Sequence, residues 1–182
     1  MNPEPYFREV QHFRQWWLWV PMLICVGVLW WGFFHQVVGG KPWGSQPAPD
    51  ALLWVLWILV GIAMPLGFWF LQLVTEVDDK EVRVSFRPFP WHVEPADRID
   101  SNEAVTYRPI RHYGGWGWRY GASRGWCFTT RGTRGVYLEI RGARNLLIGS
   151  QRAEELGRAI NQLRTDGTPP EEAGMRMGRP IR

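Results

Sequence analysis

The sequence predicts an α+β membrane protein: an N-terminal two-helix transmembrane hairpin, then a small antiparallel β-barrel with a C-terminal amphipathic helix. Three observations lead there. Two long stretches carry no charge, period-two alternation begins after the second, and one helical apolar stripe follows near the end.

The uncharged stretches are 26 residues between Arg14 and Lys41 and 25 between Asp50 and Glu76. A hydrocarbon core needs about 20 apolar residues, so each suffices to span it. Helices are expected over 16–38 and 51–74. At ~1.5 Å per residue the first reaches roughly 35 Å, enough to cross with some tilt. It is longer than a signal-peptide core and no small-residue cleavage pattern follows it, so it is expected to stay in the protein. Trp16, Trp17 and Trp19 open the first helix and Trp43 lies in the link, as interfacial belts would place them. The link GGKPWGSQPAPD is short and rich in Gly and Pro, which implies an antiparallel hairpin. Ala63 and Gly67, four apart, form a small-xxx-small face that would let another helix pack closely. His35, near the outer end, reads as a polar residue at the interface.

Orientation follows from the positive residues. The N-terminal arm, 1–15, carries Arg8 and Arg14, whereas the link carries only Lys41 beside Asp50. From Thr75 onward there are 18 Lys and Arg. Both termini are therefore expected on the cytoplasmic side.

A cytoplasmic domain is expected over 75–165. Val82, Val84 and Phe86 alternate with Arg83, Ser85 and Arg87, the mark of a half-buried strand. A strand around Leu73–Val77 precedes it across the turn DDKE, and Pro88 and Pro90 end it. Further strands are expected at 104–107, 126–130, 136–140 and 146–148, separated by Gly-containing turns. Ala153, Leu156, Ile160 and Leu163 then fall on one helix face, with Ser150 as a candidate N-cap and Glu154 and Glu155 in the first turn. The tail, 166–182, is Gly- and Pro-rich and is expected to be disordered.

Strands closed by one C-terminal helix resemble a pleckstrin-homology-like (PH-like) barrel. The chain also resembles a bacterial family of uncharacterised two-helix membrane proteins with a PH-like domain. The resemblance is carried by FREVQHFRQWWLW, TEVDDKEVRVSFRPFP, RHYGGWGWR and LLIGSQRAEEL, within residues 6–164. It implies a PH-like fold in the bacterial inner membrane and no defined activity.

No catalytic constellation is present: no HExxH, CxxC, GxSxG or Walker-type loop. No enzyme activity, cofactor or metal site is expected. Asp78, Asp79 and Glu81 read as a solvated turn. Cys25 and Cys127 are not expected to pair. Four Arg-Gly pairs bracket apolar runs, so turn chemistry explains them and nucleic acid is not an expected partner.

Charge is distributed unevenly. Between Ala104 and Arg144 eight arginines face one acid, Glu139, giving +7 and leaving −3 for the remainder. A solvated surface is one reading of such a spread. The other is a surface for anionic lipid headgroups, each nearby basic residue adding about 1 kcal/mol at an anionic leaflet. The candidate contact residues are Arg111, Arg119 and Arg124, with Trp116 and Trp118 in YGGWGWRYG. Those two indoles either meet the interfacial zone or a partner, or fold back onto the barrel. The expected function is thus a non-enzymatic, membrane-anchored interaction module for the bilayer, its anionic headgroups or a membrane partner. The alternative is a structural or assembly subunit of a membrane complex, using Ala63 and Gly67.

Overall fold

The computed structural model describes residues 5–121 and 124–166; the expected tail lies outside them apart from Asp166. The chain divides into two units, one helical over His12–Leu71, the other built from residues up to Gln11 and from Gln72 onward.

The helical unit holds two helices, Trp16–Val38 and Asp50–Phe70, long and apolar enough to cross a membrane. The first matches its expected span; the second stops four residues short of it, because the chain is extended from Gln72. Pro21 lies inside the first helix and Pro65 inside the second, just after the wide turns Trp57–Ala63, and each removes one N–H from its helix ladder. Aromatic rings hold the two helices together. Phe33 stacks on Trp57 at 4.6 Å and meets Trp54 edge-on at 4.8 Å; Trp30 lies 5.3 Å from Trp57. Gln36 ties the link to the helix ends, donating to the Ala48 carbonyl at 2.6 Å and to Asp50 at 2.8 Å.

Among the described residues the other unit carries nine strands. β1 (Phe7–His12), β2 (Gln72–Val77), β3 (Glu81–Arg87) and β4 (His92–Pro95) form one sheet in that order. β5 (Ile99–Thr106), β6 (Gly117–Gly121), β7 (Gly125–Thr129), β8 (Arg134–Ile140) and β9 (Leu146–Gly149) form a second, ordered β5-β8-β9-β7-β6. The expected closed antiparallel barrel is not formed. Pro95 has no N–H to extend the ladder of β4, and a 3-10 turn at Ala96–Arg98 carries the chain into the second sheet. That sheet is mixed: β7 and β9 run parallel, Cys127 opposite Leu147.

Between the sheets lies the main core. Val82, Val84, Leu138, Leu146 and Ile148 are fully buried, and Phe86 stacks on Phe128 at 6.0 Å. The C-terminal helix, Ala153–Asp166, packs on β2, β5 and β8 through Ala153, Leu156, Ile160 and Leu163, the expected stripe. Its far end is fixed by Arg164, which donates to the carbonyls of Ile99 and Asp100.

β1 is the element the sequence reading placed in a cytoplasmic arm. Its outward residues include Val10, and its inward residues are Phe7, Glu9 and Gln11. The polar pair is satisfied from distant segments. Glu9 accepts from Ser150 Oγ at 2.5 Å and from the Gln151 N–H at 3.1 Å. Gln11 donates to the Gly149 carbonyl at 2.8 Å and accepts from Thr130 at 2.6 Å. Ser150, the expected cap, accepts the Arg152 N–H at 2.9 Å ahead of the helix.

Candidate functional site

RPIRHYGG folds as a short helix, Pro109–Tyr113, rather than as a loop. Pro109 suits the first helical position, where its missing N–H is not needed. Gly114 closes it with φ +71, a left-handed conformation that favours glycine; its N–H reaches the Ile110 carbonyl at 3.0 Å and that of Gly115 reaches Pro109 at 3.1 Å. The YGGWGWRYG glycines therefore end a helix and begin a strand, since β6 starts at Gly117.

The helix lies over the outer face of the five-stranded sheet. Register puts Val105 opposite Gly135, Tyr137 opposite Leu147, and Leu147 opposite Cys127, all on that face. Tyr107, Tyr113, Cys127 and Leu147 form a second, smaller core here. Beside it a cavity of about 450 Å³ opens, lined by Val105, Thr106, Tyr107, His112, Tyr113, Arg124, Tyr137 and Leu147. This size falls within the range of small-molecule pockets.

The cavity wall is neutral and its rim is positive. Burial pushes the Tyr113 phenol and the Cys127 thiol each up to about 12, and raises Tyr107 further. All three stay protonated at neutral pH. His112 is lowered from its ordinary value, first by desolvation and then by the fields of Arg124, Arg111 and Arg108. Its Nδ1 accepts the Arg108 N–H at 3.4 Å, which fits a neutral ring. Among the described residues, Arg108, Arg111 and Arg124 form no ion pair, whereas Arg134 pairs with Glu154 and Arg141 with Asp100. The acid on the same sheet face nearest the cavity lining is Glu103, opposite Tyr137.

The expected contact residues are thus divided. Arg124 lines the cavity beside His112, and Arg111 lies on the same short helix as His112, as does its N-cap Arg108, which was not an expected contact residue. The Pro-then-Gly spacing of a short helix was the signal for it. Trp116, Trp118 and Arg119 belong instead to the β6 edge. Trp116 donates its indole N–H to the Gly132 carbonyl at 3.0 Å, and Arg119 Nε donates to the Trp116 carbonyl at 3.2 Å. Trp118 stacks on Phe128 at 5.6 Å yet remains 52% exposed. Gly117, with φ +113, turns the chain between the two tryptophans, so they do not extend from one face of one strand. Ala63 and Gly67 are exposed and take no part in the hairpin's own packing; the close approach is at Gly61. Among the described residues no group of three His, Cys, Asp or Glu is arranged to hold a metal ion.

One family model matches residues 2–162: DUF6141, described as a family of unknown function. Neither the curated proteins nor the solved structures contain a match to the chain.

Proposed function

We propose that this chain, which belongs to DUF6141, is a non-enzymatic module anchored in the bacterial inner membrane by its two helices. Both termini face the cytoplasm, and the sheet unit binds anionic lipid headgroups. The observation that carries the reading is Arg124 in the cavity lining with Arg108 and Arg111 on the adjoining short helix, free of ion pairs among the described residues, in a chain with two bilayer-length apolar helices. Guanidinium groups left without carboxylate partners are suited to phosphate. Two strand layers with a C-terminal helix support a PH-like layout, from which the parallel β7–β9 pair departs. Exposed Ala63 and Gly67 favour a second reading, in which the hairpin packs into a larger helix bundle as an assembly subunit.

Purification in mild detergent followed by native mass spectrometry separates the two. The expected result is the chain alone with retained anionic lipid. A stoichiometric protein partner without retained lipid would transfer the assignment to assembly. For orientation, Ser45→Cys and Asn161→Cys are labelled in a background lacking Cys25 and Cys127. An impermeant reagent is expected to reach residue 45 in intact cells and not residue 161; the reverse defeats the proposed topology.

A further inference from the structure

We propose that the cavity between the Pro109–Tyr113 helix and the outer sheet face binds an amphiphilic organic phosphate, its phosphate on Arg108, Arg111 and Arg124 and its apolar body against Val105, Tyr113 and Leu147. This deepens the headgroup reading, on which it rests for a lipid source of the ligand.

Three features converge. The space is about 450 Å³, larger than inorganic phosphate requires and matched to a small organic ligand. Its wall combines an apolar surface with phenols. Tyr107, only 4% exposed, and Tyr113 are buried into the outer core, so the wall is set before a ligand arrives. Its charge is confined to one side. Arg124 lines the cavity beside His112, with Arg108 and Arg111 on the same short helix as His112, while Glu103 stands opposite Tyr137 on β5 and repels an anion from that end. An anion is therefore drawn to the helix end with its body directed over the sheet. Three guanidinium groups suit the several oxygens of a phosphate better than a single carboxylate.

The choice differs from an evenly basic surface. Arg119, although opposite Cys127 on the same sheet face, is not part of the cavity lining and its Nε is held to the Trp116 carbonyl. Arg124 lines the cavity, and Arg108 caps the short helix that forms its wall.

The full chain in neutral detergent tests the site. The probes are short-chain phosphatidylglycerol, phosphatidylcholine of equal chain length, and glycerol phosphate, with affinities read by calorimetry. Phosphatidylglycerol is expected to bind at least tenfold tighter than phosphatidylcholine. Arg108→Gln and Arg124→Gln, both at exposed positions, are each expected to weaken it by about tenfold, since bonds to charged groups are worth about 1.5 kcal/mol or more. Arg119→Gln is expected to change nothing. Val105→Phe, checked for folding by its melting curve, fills the cavity and should weaken the lipid while sparing glycerol phosphate. If glycerol phosphate binds as tightly as the lipid and depends on the same arginines, the source is a soluble phosphate and the cavity assignment stands without the membrane reading. Lipid preference that survives both arginine substitutions overturns the cavity but leaves the headgroup reading intact. No binding of any probe overturns both.

Discussion

Trp30 donates its indole N–H to the main-chain carbonyl of Gly61, 3.1 Å away across the two apolar helices. A side chain at 61 would press on that ring, because an added Cβ would sit 3.0 Å from Trp30 Nε1 and anything larger would have to displace it. At Gly67 nothing lies within 4 Å. Gly61→Leu should therefore destabilise the hairpin by about 1–3 kcal/mol, the usual range for overpacking. Gly67→Leu should be near neutral in the isolated chain. Melting in detergent compares them; equal losses would refute the assigned contact. A Gly67→Leu loss seen only in native membranes would point to a packing partner there.

At β6 the two tryptophans should behave differently from a freely exposed pair. Trp118→Ala removes a stacked but half-exposed ring, for which about 1–2 kcal/mol is expected, below the range for fully buried aromatics. Trp116→Phe keeps a ring but deletes the bond to Gly132, worth about 1 kcal/mol. Chemical denaturation of the full chain in detergent measures both. Unchanged stability in both variants would free these residues for a contact role.

His112 gives a pH test. Its folded pKa lies below the ordinary 6.5 because of desolvation and because Arg124, Arg111 and Arg108 face it. Between those two values the unfolded chain binds a proton that the folded one refuses, so stability falls as pH decreases through that window and levels off below it. The melting midpoint should drop between pH 7 and acid pH less in His112→Gln than in the parent chain. A bound anion near the arginines should raise the His112 pKa, visible in its ring proton shifts by NMR. Identical pH profiles in parent and variant would remove His112 from this role.

Cys127 should be inert. It is fully buried, and that burial pushes its thiol up to about 12, so little thiolate exists near neutrality. In a Cys25→Ser chain, a maleimide at pH 7 should label Cys127 only after denaturation. Rapid labelling of the folded chain would show that the outer core opens readily.

What could be read in advance follows from how each segment is satisfied. The long helices are uniformly apolar over a bilayer's length and the C-terminal helix carries a regular apolar stripe, and both signals are visible in the sequence. β1 is the reverse. Val10 faces out while Glu9 and Gln11 face in, because their partners are Ser150, Gln151, Thr130 and Gly149. A polarity pattern reads such a strand inside out, and no local signal names partners so far along the chain. The parallel β7–β9 pair was hidden for a related reason: strand order depends on which edges meet, which alternation does not encode. For the candidate site, the excess of arginine was visible, but not the short helix that gathers three of them.

The partners of β1 also set the order in which this protein can mature. Glu9 leaves the ribosome early, yet the hydroxyl and amide that neutralise its burial lie 141 and 142 residues later. Between them come both apolar helices, and the strand must wait for the chain beyond them before it has anything to close against. Contacts this distant are formed late and slow folding. During synthesis the first strand is an exposed edge, guarded by its own charges at Arg8 and Glu9. A nascent chain stalled before Gln151 should therefore hold complete helices and an unfinished sheet, and that sheet is where quality-control proteases would begin.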